Sequence, residues 1–245
     1  MKILFTCPIL DIRYEWLLGF MQILEQLKGY EMTYYIPYRK PLIIAQNDMG
    51  KKAIEGNFDY VLHMDDDIWN VPANAVSELI KADKEFISCV MYANDFPYQR
   101  CAGIRKNKND SLLDIARSNN GGFDEATGIG IVPVDFSALP FTLIKTQVFK
   151  KITPPYFEYL DKVPTDSYFC QKMLDNGIQP YVHMDLQVNH RGVTHWNRIY
   201  KFIADMEFGL STGQVDEKHR NFKDYLNIRE GLVERYIEKK SVWLK

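Results

Sequence analysis

At 245 residues and a net charge of −2, the chain is long enough for one large domain or one and a half smaller ones, and nothing in its charge favours nucleic acid or an anionic membrane. Hydrophobic residues at 46% and charged residues at 25% give the balance of a globular protein, which at this length buries roughly three-quarters of its unfolded surface and needs no staples. Any phosphate chemistry must therefore be arranged locally.

Cys7, Cys89, Cys101 and Cys170 form no CxxC pair, and three of them sit in apolar runs. That argues against a zinc site and for reduced, mostly buried thiols in a cytoplasmic setting. The opening MKILFTCPIL has too short an apolar run for a signal peptide, and Asp11, Arg13 and Glu15 follow it with no small-residue cleavage site. No stretch approaches the roughly 20 apolar residues of a transmembrane helix, so the expectation is a soluble protein without a membrane partner.

In chain order, Ile3 to Cys7 is an apolar run ended by Pro8, which suits a buried first strand. Leu17, Phe20, Met21, Leu24 and Leu27 are spaced for one face of a helix, which Gly29 stops. Met32 to Ile36 is a short strand, 42–55 is a second helix, and Gly56-Asn57 is its exit. FDYVLHM, Phe58 to Met64, is the near-continuous apolar run of a central parallel strand. A helix opening at Pro72 and a strand over Phe86–Met91 complete a β-α-β-α-β-α-β alternation, hence a parallel sheet with helices on its faces. Residues 94–135 lack periodicity and read as a long functional or disordered loop. Gly128-Ile129-Gly130 within it lacks the third glycine of a dinucleotide fingerprint and reads as a loop or hairpin. A strand at Phe141–Lys145, a short helix, a Pro154-Pro155 turn and a helix over 165–176 follow. Tyr181 to His190 alternates, with Val182, Met184, Leu186 and Val188 on one face and His190 continuing it. Residues 196–245 have the charge-rich pattern of helical packing elements.

Three segments could carry chemistry. In HMDDDIW, residues 63–69, three carboxylates follow a central strand, at the carboxyl edge where ligands of open α/β sheets bind. Asp65 and Asp67 offer two hard oxygen donors, which suit Mg²⁺ or Mn²⁺; a solvated turn is the bland alternative. A calcium loop of the EF-hand type is excluded, because counting from Asp65 puts Asn70 at position 6 and Val76 at position 12, where Gly and Glu are required. In the second segment, VPTDSYFCQKMLDNG, Thr165 fits an N-cap and Asp166 the first helical turn, which a good helix start alone would explain. The third is His190 in VNHRG, at the end of a strand.

The order of these signals resembles the GT-A glycosyltransferases, most closely their soluble family-2-like members. The stretches that carry the resemblance are FDYVLHMDDDI, FTLIKTQVFKKITPPYF and TDSYFCQKMLDNGIQPYVHMDLQVNH, within residues 1–192. It implies an α/β fold, a GT-A (Rossmann-like), mostly parallel mixed sheet flanked by helices over 1–195, with a C-terminal helical extension over 196–245. It further implies transfer of a sugar from a nucleotide-diphosphate sugar, expected to be UDP-linked, to an acceptor hydroxyl with inversion. Asp65 would contact the donor ribose or the metal, with Asp66 beside it. Asp67 and His190 would ligate Mn²⁺ or Mg²⁺. Asp166 would be the general base, kept ionised at a helix N-terminus. Thr6, Pro8 and the Gln46-Asn47-Asp48 segment, Asn47 above all, would cradle the nucleobase and ribose. The acceptor (saccharide, protein or modified nucleobase) stays open, as does a homo-oligomer built through the C-terminal helices.

The chain departs from the family pattern where Thr165 replaces the first acid of a common acidic pair, and where Gln46 stands in place of an Arg before Asn47. Two rivals share the scaffold: a nucleotidyltransferase, against which the glycine-free TCPILDIRYE counts, and a non-catalytic nucleotide- or carbohydrate-binding module. Arg191, His195, Trp196, Asn197 and Arg198 follow His190 and could hold a diphosphate or cover a sugar, or form an ordinary surface turn.

Overall fold

The computed structural model describes residues 1–10, 12, 14–92, 100–118 and 122–190. Arg191, His195, Trp196, Asn197, Arg198 and the expected helical extension over 196–245 lie outside the described residues.

The first half alternates as the sequence pattern requires: β1 (Lys2–Thr6), α1 (Tyr14–Gln26), β2 (Glu31–Tyr35), α2 (Leu42–Glu55) and β3 (Tyr60–Met64). A two-residue strand β4 (Ile68–Trp69), helix α3 (Ala75–Lys81) and β5 (Phe86–Val90) come next. Then follow β6 (Ala102–Arg105), α4 (Leu112–Ser118), β7 (Phe123–Glu125), β8 (Ile131–Pro133) and β9 (Phe136–Ser137). The chain continues through β10 (Phe141–Lys145), α5 (Thr146–Lys151), α6 (Thr165–Asp175), β11 (Tyr181–Gln187) and β12 (Asn189–His190).

The main sheet has seven strands in the order β2-β1-β3-β10-β5-β11-β8. Five run parallel, while β10 lies antiparallel between β3 and β5, and β8 lies antiparallel at the edge. It is thus a mostly parallel mixed sheet flanked by helices, as the sequence implied. Alternate residues of each strand feed two cores. Ile3, Phe5, Leu62, Met64, Ile87 and Phe141 pack with α1 and α3 on one face. Leu4, Val61, Phe86 and Ile144 pack with α2, α5 and α6 on the other.

Four expectations need correction. Helix α1 exists, but its buried stripe is Trp16, Ile23 and Leu27 with Phe20 partly covered; Leu17, Met21 and Leu24 are exposed. The cause is Gly19, whose missing side chain lets the helix close on β4: a Cβ there would come within 2.7 Å of the Ile68 carbonyl oxygen and of Met64 Cε. Residues 100–137 are not a long loop; they build a three-stranded sheet β7-β6-β9, the helix α4 and the edge strand β8. Arg105 Nη2 pairs with Asp135 Oδ1 at 3.3 Å, and the Arg105 amide donates to Asp135 Oδ2 at 2.8 Å, tying that sheet together across its loops. Thr165 is the first residue of α6 and caps nothing; Pro164 holds the N-cap position with no side-chain bond. The last strand does not run on to His190: its register against β5 shifts between His183 and Gln187, and Asn189–His190 pair separately, antiparallel to Ile68–Trp69.

Candidate functional site

A row of polar side chains crosses the carboxyl end of the sheet on the face of α2 and α6. Thr6 is the register partner of His63, His63 of Thr142, and Thr142 of Ser88, and all four are buried. Buried polar groups need partners. Thr142 Oγ1 donates to Ser88 Oγ at 3.0 Å, while Thr6 Oγ1 lies 3.1 Å from His63 Nδ1. The other ring nitrogen, His63 Nε2, is 3.0 Å from Asp65 Oδ1.

Beyond β3 the chain turns through Asp65, Asp66 and Asp67 into β4. The Asp65 amide donates to the Pro140 carbonyl at 3.1 Å, which anchors the turn to the segment leading into β10. Asp66 Oδ2 accepts the Leu10 amide at 2.8 Å, so it holds down the loop after β1. Asp67 Oδ2 meets His190 Nε2 at 3.0 Å, because β12 pairs with β4 directly beside the acidic turn. Asp166, second residue of α6, joins them from the other side; its carboxylate accepts the Leu139 amide, one residue from the Pro140 that anchors Asp65. Four ionisable groups from three separate stretches of the chain therefore share one corner of the sheet.

The charges act on one another. Asp65 is half-buried, yet loss of water raises its carboxyl above the ordinary range; His63 opposes the rise, and Asp67 adds to it. Asp166 is pushed up to about 7, first by burial and then by the negative charge of Asp65, against the lowering by His63, the Leu139 amide and Thr165. This corrects the expectation of a carboxylate kept ionised by its helix: one helix terminus is worth about 0.3–1 kcal/mol, less than the cost of desolvation here. Burial lowers the pKa of His190, but the hydrogen bond and charge of Asp67 outweigh it and the imidazole titrates above its ordinary value. The Cys101 thiol is pushed up to about 12 by burial, Asp166 and Asp65, so it is no nucleophile near neutral pH.

Two carboxylates and an imidazole are donor types that Mn²⁺ or Mg²⁺ accepts, and the mutual repulsion of Asp65 and Asp67 is what a cation would relieve. The residues fit such an ion in chemistry. Among the described residues, however, no group of three or more His, Cys, Asp or Glu is already spaced to hold one; Asp67 and His190 are paired with each other.

The expected nucleotide contacts fare differently. Pro8 is half-buried in the loop after β1. Thr6 is 1% exposed, and its hydroxyl faces His63 and Met49 Sδ instead of a ligand space. Asn47 is a clamp: Nδ2 donates to the carbonyls of Ile43 and Phe157 at 2.8 and 2.7 Å, and Oδ1 accepts the amides of Tyr156 and Phe157 at 2.7 and 3.2 Å. That leaves it no donor for a nucleobase. Asp48 is held by Lys40 and, at 3.0 Å, by the Tyr35 hydroxyl, and Gln46 is buried. Sequence reasoning missed His63. Its signal was available: a histidine inside a strand that otherwise carries no charge, two positions before an acid.

No protein family's sequence pattern and no curated protein matches the chain. Among solved structures, A197 from STIV is similar in fold, with a TM-score of 0.52 and 16% identity over 77% of this chain and 84% of that one. GalNAc-T7 solved with UDP, GalNAc and Mn2+ aligns with 94% of this chain and 54% of its own, at a TM-score of 0.49 and 10% identity. UDP-glucose pyrophosphorylase from acinetobacter baumanii aligns with 87% of this chain and 70% of its own, at 0.40 and 11%. At TM-scores under 0.5 the last two likenesses establish no shared fold.

Proposed function

We propose that this protein is a metal-dependent glycosyltransferase, moving a sugar from a nucleotide-diphosphate sugar to an acceptor hydroxyl with inversion. The observation that carries the reading is the convergence of Asp65, Asp67, His190 and Asp166 at the carboxyl end of β3. Ligands of open α/β sheets bind at that end.

In this reading Asp67 and His190, with Asp65, hold Mn²⁺ or Mg²⁺. Bound there, the cation supplies positive charge opposite a leaving diphosphate. Asp166 takes the proton of the acceptor hydroxyl. Burial raises the pKa of this carboxyl towards the operating pH, where a base works best. Asp66 keeps the loop after β1, and with it Pro8, beside the donor site. Asn47 and Thr6 serve the site through the scaffold and not by touching donor. UDP is the expected carrier, and residues 1–195 are the catalytic unit.

Thermal unfolding with nucleoside diphosphates and nucleotide-sugars, each with and without Mn²⁺, tests this. A ligand at 100 times its Kd adds about 2.7 kcal/mol. For a chain of this size that raises the midpoint by roughly 5–10 °C. A shift that needs both one nucleotide and the metal, followed by release of that nucleotide when an acceptor is added, is the expected result. No shift with any pair would sink the reading.

A further inference from the structure

We propose that His63 is a positioning residue: backed by Thr6, its imidazole holds the Asp65 carboxylate in one orientation. The inference rests on the reading of Asp65 as a donor group of the site and adds to it a residue that touches neither metal nor substrate.

Both ring nitrogens of His63 are engaged, in a side chain with no exposed surface. Nδ1 lies 3.1 Å from Thr6 Oγ1, and Nε2 lies 3.0 Å from Asp65 Oδ1. Sheet geometry sets the first contact, because Thr6 and His63 are register partners on adjacent parallel strands. It also sets the second: Asp65 is two residues past His63, and its amide is fixed to Pro140.

The proton count selects one arrangement. Thr6 has a single hydroxyl hydrogen and two neighbours that could take it, His63 Nδ1 and, at 3.2 Å, Met49 Sδ. Thioether sulfur is a weak acceptor, so the hydroxyl donates to Nδ1 and the ring donates Nε2–H to Asp65 Oδ1. This is the arrangement the contacts favour. It commits Oδ1 of Asp65 to His63 and leaves Oδ2 for a cation or a ribose hydroxyl. Partners of this kind fix ligand orientation, and their loss typically costs 10–100-fold in metal affinity.

Two readouts on the full-length protein test this. The first needs no metal: long-range proton–nitrogen NMR correlations of the histidine rings at neutral pH, with His63 assigned from its absence in His63→Gln. The Nε2–H tautomer is expected, and an Nδ1–H tautomer would overturn the proposal. The second is Mn²⁺ uptake in the presence of UDP, followed by the signal of free Mn²⁺. Thr6→Val and His63→Leu are expected to weaken uptake about 10–100-fold, whereas Thr6→Ser and His63→Gln, which restore the hydroxyl or a ring-like N–H donor, stay near wild type. Thr6→Val is nearly isosteric, so it reports even if His63→Leu fails to fold. Equal uptake by Thr6→Val and wild type would overturn the positioning role. No uptake by wild type itself would instead overturn the metal-site reading, while the tautomer still decides how His63 meets Asp65.

Discussion

Replacing Asp166 with Asn is expected to stabilise the metal-free protein at alkaline pH while removing its base. The Asp166 carboxyl keeps its proton up to about pH 7, against an ordinary value of 3.8. Between those values the folded protein binds more protons than the unfolded chain, so this group lowers stability as pH rises through the window, and the penalty levels off above about pH 7. Each tenfold change in proton affinity is worth about 1.4 kcal/mol, so the ceiling is about 4 kcal/mol. The side chain is half-buried and part of that is screened by water, which brings the expected effect to about 1–2 kcal/mol. Asparagine, neutral at every pH, carries no such penalty. Thermal unfolding of both proteins in EDTA from pH 4 to 8 is the assay. The variants should melt nearly together at pH 4, and the asparagine form about 3–6 °C higher at pH 8. A constant gap, or a less stable asparagine form at pH 8, would refute the account of the buried carboxyl. In the active enzyme the same group predicts a kcat/KM that climbs with pH as Asp166 loses its proton, with a midpoint below that of the metal-free carboxyl because a cation at Asp65 removes part of the charge that raises it, and a loss of 10²–10⁴-fold in the variant.

Asp67→Asn should abolish any metal-dependent nucleotide shift without unfolding the protein, and should lower the titration midpoint of His190 in an NMR titration, since Asp67 is what raises it. In wild type that ion pair contributes stability below the ordinary histidine value and loses it as pH rises through the raised one, so Asp67→Asn should also flatten this part of the pH–stability profile. Asn47→Ala leaves the amides of two buried residues, Tyr156 and Phe157, without their acceptor, and chemical denaturation should register a loss of about 2–4 kcal/mol. Gly19→Ala forces a Cβ to within 2.7 Å of the Ile68 carbonyl oxygen, so it should cost about 1–3 kcal/mol and also weaken nucleotide-dependent shifts, because β4 carries the pairing with His190.

The elements legible in the sequence are those whose cause is local. Helix α2 spans Leu42–Glu55, where its periodicity and the Gly56-Asn57 exit put it, and β3 lies in its apolar run. The face of α1 was misjudged because hydropathy alone weights Leu17 and Met21 above Gly19, whereas close approach to β4 demands the residue with no side chain. Residues 100–137 escaped because their strands are two to four residues long, below the length at which alternation can be read. The antiparallel placing of β10 was invisible for a different reason: nothing in FTLIK says that its neighbours are β3 and β5, far apart in sequence.

That last feature is what makes the site. A strand inserted antiparallel between two parallel ones enters the sheet at the end where its neighbours leave it. The backbone of Leu139 and Pro140 therefore arrives beside the acidic turn, receiving the Asp65 amide on one residue and giving an amide to Asp166 from the other. Had β10 run parallel, its incoming segment would lie at the opposite edge, and neither carboxyl would have that anchor. The acids could be picked out one by one from the sequence, but what brings Asp166 beside Asp65, whose charge adds to the rise that burial causes, is a strand direction that no local pattern encodes.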